Sequence, residues 1–188
     1  MTGSKYAVGH RMQYLLSIIL LSALLALGGC VSQPLPEYQV GIANQISLSR
    51  LTPGVKFQVS HGDDIEAGSA GVRALTTTPP GGSWSAFLAG ALQQELVSSG
   101  HYVGGSGNAI DVTVVKLMLM DGQAHVSVHF VVREAGVVVY DKVLEVRTKW
   151  DSHFIGVIAA RDGVANFGAI FQQILKKLFD DPDFIRLG

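Results

Sequence analysis

Apolar and polar residues alternate with period two in three consecutive stretches, and that pattern predicts the centre of the fold. Ile110, Val112 and Val114 alternate with Asp111 and Thr113. The phase then slips to Val115, Leu117 and Leu119, which predicts a β-bulge at Val114-Val115. Asp121-Gly122 marks a tight hairpin. Beyond it Ala124, Val126, Val128, Phe130 and Val132 share one face, opposite His125, Ser127, His129 and Arg133. Ala135-Gly136 turns the chain again, and Val138, Tyr140, Leu144 and Val146 are expected to point inward while Asp141, Glu145, Arg147 and Lys149 face water. Three strands with one apolar and one polar face describe an antiparallel sheet covered on one side.

Two stretches repeat at three to four residues and predict the covering helices. Ser83 caps the first, whose stripe is Trp84, Phe87, Leu88, Ala91, Leu92 and Leu96, with Gly100 ending it as the C′ residue. The second is expected to start at an Asp162 cap, after a connector from Trp150 to Ala160. Its stripe is Val164, Phe167, Phe171, Ile174 and Leu178, widened by Ile170 and Leu175, and it stops at Asp181-Pro182. Ahead of these lie two expected strands, 44–51 and 54–60, the latter carried by Val55, Phe57 and Val59. Residues 61–82 are rich in Gly, Pro and Asp and read either as a long flexible loop or as a poor strand within Ile65 to Thr77. The predicted order is ββ-α-βββ-α: an α/β (α+β) two-layer sandwich, mainly antiparallel, with two helices on one face of the sheet.

The N-terminus follows a different rule. Lys5 and Arg11 precede an apolar block from Tyr14 to Leu27, broken by Ser17 and Ser22. That block is shorter than the roughly 20 residues of a membrane-spanning helix, and fits a secretory signal peptide. Met12 is a second possible start, which would leave the leader without either cation. The block ends at Leu27-Gly28-Gly29-Cys30, and Cys30 is the sole cysteine. These four residues resemble the lipobox of bacterial lipoproteins. The resemblance implies diacylglyceryl attachment to Cys30, signal peptidase II cleavage between Gly29 and Cys30, and acylation of the new amino terminus. An ordinary signal peptide with a chance cysteine is the alternative. Val31 and Ser32 follow, with no Asp at the second position, and the resemblance then implies placement in the periplasmic leaflet of the outer membrane. Two or more acyl chains hold firmly where one does not, at roughly 0.8 kcal/mol per buried methylene. The expected organisation is a signal peptide at 1–29, a lipidated tether at 30–37, given an extended bias by Pro34 and Pro36, and one domain at 38–188.

Charge and composition narrow the function without naming it. Removing Lys5 and Arg11 from 14 basic residues against 15 acidic ones leaves a net charge of −3. No basic stripe is present, which disfavours nucleic acid. With Cys30 committed to lipid, neither a disulfide nor a thiolate metal site is available. His125 and His129 lie about 13 Å apart along a strand, too far to share an ion, while His61, His101 and His153 are scattered. Gly104-Gly105-Ser106-Gly107-Asn108 falls short of a nucleophile elbow, because Asn108 stands where Gly is required, and reads as a turn. Asp63, Asp64 and Glu66, and likewise Asp180, Asp181 and Asp183, lack EF-hand spacing and read as solvated loops. Trp84 reads as core. No catalytic residue, metal site or cofactor is expected beyond the lipid on Cys30.

From Trp84 to Gly188 the chain also resembles small outer-membrane lipoproteins of the YajG type. The likeness rests on Ser99-Gly100-His101-Tyr102-Val103-Gly104, the hairpin block from Ala109 to Trp150, and Asp180-Asp181-Pro182-Asp183-Phe184-Ile185. It implies an envelope lipoprotein with no recognised enzymatic activity; the expected partners are the membrane, through the lipid anchor, and an envelope protein. A rival likeness is to the auxiliary lipoprotein of ABC-type lipid transport systems. A hydrolase assembled from dispersed His and Asp residues is a third reading.

Overall fold

The computed structural model describes residues 31–188, apart from 33–34, 68–69, 73–74, 106, 121 and 152–155; the side chains of 31–32, 72, 75–76 and 156–166 also lie outside the description. The chain divides into two compact units, Met1–Val31 and Ser32–Gly188. The described elements run β1 (Val31–Ser32), α1 (Ile42–Leu48), β2 (Phe57–His61), β3 (Glu66–Ala67), β4 (Ala70–Val72), β5 (Leu75–Thr77), α2 (Trp84–Ser98), β6 (Asn108–Met120), β7 (Gln123–Glu134), β8 (Val137–Lys149), α3 (Gly156–Asp180) and α4 (Pro182–Ile185).

The predicted meander forms. β6 pairs antiparallel with β7 and β7 with β8, while β2 and β3 both run parallel along the other side of β6. The phase slip at Val114-Val115 is a bulge, since the β6–β7 register jumps between Val114 and Lys116. Ile110, Val112, Val114, Leu117 and Leu119 therefore all reach the same buried face. A second register shift, between Val132 and Arg133, leaves Val139 as the extra residue of β8. It corrects the expected phase there: Val138 is exposed, and Tyr140, Lys142, Leu144 and Val146 take the inner positions.

The two-layer α+β arrangement follows from where apolar side chains can go. Leu88, Leu92 and Leu96 of α2, and Phe171, Ile174 and Leu178 of α3, join the inner face of the sheet in one core. Trp84 stacks on Phe171 with centroids 5.9 Å apart, as core rather than as a binding anchor. Ser83 caps α2 by accepting from the Ala86 amide. At its other end the His101 amide donates to Leu96 O at 2.7 Å and the Gly100 amide to Val97 O at 3.1 Å, with Gly100 at φ +76°. This is the double-bonded glycine stop expected of a C′ residue. α4 closes the end of the core: Phe184 is fully buried against Phe57 and Tyr140, at centroid distances of 5.5 and 6.1 Å.

Two further expectations are corrected. Residues 44–51 are not a strand, for Ile42–Leu48 is helix α1. α3 begins by Gly156, so Asp162 lies inside the helix and does not cap it. Between His61 and Gly82 the chain forms three short strands and a 3-10 turn at Pro80–Gly82. β3 continues the path of β2 along β6, and β4 pairs antiparallel with β5.

Candidate functional site

The predicted attachment site, Cys30 with Gly29 before it, lies outside the described residues, as does His153. The described structure begins at β1, the edge strand paired with β5. Leu35 and Tyr38 are already buried in the core. From there to Leu51 the chain lies on the helical layer, contacting both α2 and α3.

What holds this segment is Glu95, a fully buried acid within α2. Its Oε1 accepts from the Tyr38 hydroxyl at 2.6 Å, the Gly41 amide at 2.9 Å and Asn44 Nδ2 at 2.8 Å. Its Oε2 accepts from Gln45 Nε2 at 2.5 Å. Four donors from one stretch of eight residues thus converge on one carboxylate, which a buried acid needs if it is to be tolerated. Burial, followed by the hydrogen bond to Glu95 and its charge, raises the Tyr38 phenol well above its ordinary range. Gln172 of α3 adds a second tie: its side chain donates to Gln39 O at 2.8 Å and its carbonyl accepts from Asn44 at 3.3 Å. A cleft of about 340 Å³ lies alongside, lined by Leu35, Pro36, Phe87 and Ala169 among others.

Sequence reasoning passed over Glu95 because a charged residue breaks no pattern when it is assumed to face water. The signal was its position, three and four residues after Leu92 and Ala91 and next to Leu96, inside the apolar stripe.

The far end of α1 is tied by Asp180, which binds Arg50 and Lys176 and accepts from Ser47 Oγ at 2.7 Å. Burial alone would raise this carboxyl; Lys176, Ser47 and Arg50 outweigh it and hold the value below the ordinary one. Asp181 pairs with Lys142 at 2.9 Å, accepts from the Tyr140 hydroxyl at 3.2 Å and caps α4 through the Asp183 amide. Asp183 pairs with Lys142 at 2.6 Å and with Arg186. Burial, then Asp181, raises the Tyr140 phenol. The acidic run expected to be a solvated loop instead locks the C-terminus to β8 and α1.

The other acidic group is divided. Asp63 and Glu66 are exposed, and Glu66 lies 3.9 Å from Lys116. Asp64 is half-buried and accepts from the amides of Trp84 at 2.8 Å and Ser85 at 2.7 Å, the first two of α2, and from Ser85 Oγ. That hydroxyl in turn accepts from the Val114 amide at 2.8 Å, at the β6 bulge. A chain of bonds thus fixes the start of α2 to the irregular point of the sheet.

His125 and His129 lie on the outer sheet face, each beside a carboxylate of β8: Glu145 at 3.5 Å and Asp141 at 2.7 Å. The Arg147 hydrogen bond, ahead of smaller contributions from Arg147 and His125 charge, holds Glu145 below its ordinary value. His101 is buried with Nδ1 2.8 Å from Val55 O, and His61 is exposed. Among the described residues no group of three His, Cys, Asp or Glu side chains could hold a metal. Gly107, at φ +112°, passes so close to Lys56 that a Cβ would lie 2.9 Å from its carbonyl oxygen; it belongs to a turn. Among the described residues no helix is long and apolar enough to cross a membrane.

No family model matches the chain, and no curated protein does. Among solved structures it is similar to a Xanthomonas campestris protein of the DUF330 family, with TM-score 0.54 and 12% identity over 80% of this chain and 93% of that one. A Caulobacter crescentus protein provisionally described as a lipoprotein aligns with TM-score 0.39 and 12% identity, over 72% of this chain and 89% of that one. The first likeness is one of fold.

Proposed function

We propose that this chain is a non-enzymatic lipoprotein of the bacterial envelope, held by lipid on Cys30 at the periplasmic face of the outer membrane, where its domain binds a protein partner or supports an envelope assembly. The observation that carries the reading is Leu27-Gly28-Gly29-Cys30, with the chain's sole cysteine placed directly before the compact unit that starts at Ser32. The engagement of Asp64, Asp180, Asp181 and Glu95 in bonds between elements supports a binding or scaffolding role, since each acid already has a structural task.

Metabolic labelling with a fatty-acid analogue tests the anchor. Incorporation into the wild-type protein and none into Cys30→Ala is expected; a variant that still labels would overturn the lipid assignment. Fractionation of the membranes tests the placement, which recovery in the inner membrane would contradict.

A further inference from the structure

β8 ends the five-stranded sheet, and among the described residues no strand pairs with its other edge. The strand is long, Val137–Lys149, contains no proline and leaves Val137, Val138, Val139 and Val143 exposed. Its backbone groups divide by parity. The Trp150 amide donates to Gly122 O at 3.0 Å, and the β7–β8 register runs unbroken from Gln123 opposite Lys149 to Val132 opposite Tyr140. Tyr140, Lys142, Leu144, Val146 and Thr148 are therefore the residues bonded to β7, while Asp141, Val143, Glu145, Arg147 and Lys149 turn their amides and carbonyls to the open edge. Glu145 O shows this direction, since it accepts from the Lys177 ammonium of α3.

An open edge is usually blunted. Here the devices are weak. Lys142 lies on the inner face but is paired with Asp181 and Asp183, the Val139 bulge bends only the start of the strand, and Lys177 is a single exposed side chain that can swing aside.

The charges along β8 say which occupant fits, and in what register. A second β8 running antiparallel about a two-fold axis must place odd-numbered residues opposite odd-numbered ones, because only these have outward backbone groups. An axis at Val143 sets Asp141 against Glu145 of the second copy, and one at Glu145 sets that carboxylate against itself. An axis at Lys142 opposes that cation to itself, and one at Val146 leaves only Val143 to Lys149 in overlap. An axis at Leu144 sets Asp141 against Arg147 at both ends of the contact and Leu144 against Leu144. Opposite charges directly across a ladder stabilise it and like charges do the reverse. The Asp141 and Arg147 side chains are 61% and 71% exposed, so both can reach a neighbouring strand.

We propose that β8 is the pairing edge for a second copy of this chain, joined antiparallel about Leu144 with Asp141 facing Arg147 across the contact. The two sheets become one continuous sheet, with both helical layers on the same side. The pairing does not depend on lipid at Cys30.

Single cysteines read the register. Cells producing the full chain, with Cys30 retained, are treated with copper–phenanthroline. Leu144→Cys is expected to link to its own copy, and Val143→Cys and Glu145→Cys hardly at all. About a Leu144 axis, residues 143 and 145 miss their own copies by two positions, about 7 Å along the strand, which puts them beyond the reach of a disulfide. Trypsin cuts after Lys142 and Arg147, so the linked product is two copies of the 143–147 peptide, distinct from any bridge through Cys30. Added to Leu144→Cys, either Asp141→Arg or Arg147→Asp is expected to cut the yield severalfold, and the two together to restore it. Positions 141 and 147 lie about 20 Å apart along one strand, so rescue cannot arise within one copy. Sedimentation of the detergent-solubilised chain reads the same charge series with Leu144 in place: dimers for wild type and the double variant, monomers for each single one. Linkage at 143 or 145 in place of 144, a disulfide to a different protein, a monomeric wild type, or a double variant no better than the single ones would overturn the proposal.

Discussion

Removing the carboxylate of Glu95 by Glu95→Ala strands its donors. Three of them, the Tyr38 hydroxyl, the Gly41 amide and Asn44 Nδ2, belong to buried residues, while Gln45 is half-buried and can turn to water. Each buried donor left without an acceptor costs about 1–3 kcal/mol, and water entering the space of the lost side chain recovers part of that. The expected loss is about 3–5 kcal/mol, the sum over three buried donors less what entering water recovers. Tyr38→Phe deletes one donor and leaves the carboxylate with three, so about 1 kcal/mol is expected. Glu95→Gln falls between, because the new amide nitrogen must face a donor. Urea unfolding followed by tryptophan fluorescence measures the global term, and hydrogen exchange over residues 38–48 measures release of the segment alone. If Glu95→Ala lies within about 0.5 kcal/mol of wild type and residues 38–48 stay as protected as before, the carboxylate is not what fastens this segment, and the reasoning fails.

Three further outcomes follow from the same contacts. Ser85→Ala removes the hydroxyl between Asp64 and the Val114 amide, and about 1–3 kcal/mol of destabilisation is expected in urea titration, with faster exchange at Val114. Phe184→Ala empties the space against Phe57 and Tyr140; a loss of about 3–5 kcal/mol is expected by the same titration. The Asp180 carboxyl titrates below its ordinary 3.8 when folded, so its contribution is complete above that value and is lost as the pH falls beneath it. Comparing urea midpoints at pH 7 and pH 3, Asp180→Asn should show a smaller acid-induced loss than wild type; an equal loss would remove Asp180 from the account.

The parts of the fold legible in the sequence are those where burial and periodicity agree. The meander, the bulge at Val114-Val115 and the capped helix α2 could be read because every inward position from Ile110 to Val132 is apolar and the irregularity within β6 leaves a phase slip. Helix α1 was not legible for the opposite reason. Its buried side is Asn44, Ser47 and Leu48, so Ile46 and Leu48 read as strand alternation although only Leu48 is inside. Polar burial driven by a partner some fifty residues away leaves no local signature. The Val139 bulge was hidden for a different reason, since Val137, Val138 and Val139 are identical and carry no phase. Of the candidate chemistry, the sequence located the acidic groups but not their partners, because Arg50, Lys142 and Ser85 come to them only through the fold.

The fastening at Glu95 also determines how the domain responds to force. A pull on the chain ahead of Leu35 first loads β1, the edge strand paired with β5, and then passes through Leu35 and Tyr38 to the middle of α2, where several hydrogen bonds meet at one side chain. The two-residue edge strand β1 can peel away from β5 one bond at a time, whereas the load that reaches α2 meets a cluster. Bonds that converge on a single carboxylate share the strain, and α2 is itself pinned to the sheet through Asp64 and Ser85. Once β1 has parted, traction on the chain is therefore resisted by the helical layer, and the next segment to give way is the stretch up to Leu51, leaving the five-stranded sheet and its outer face intact.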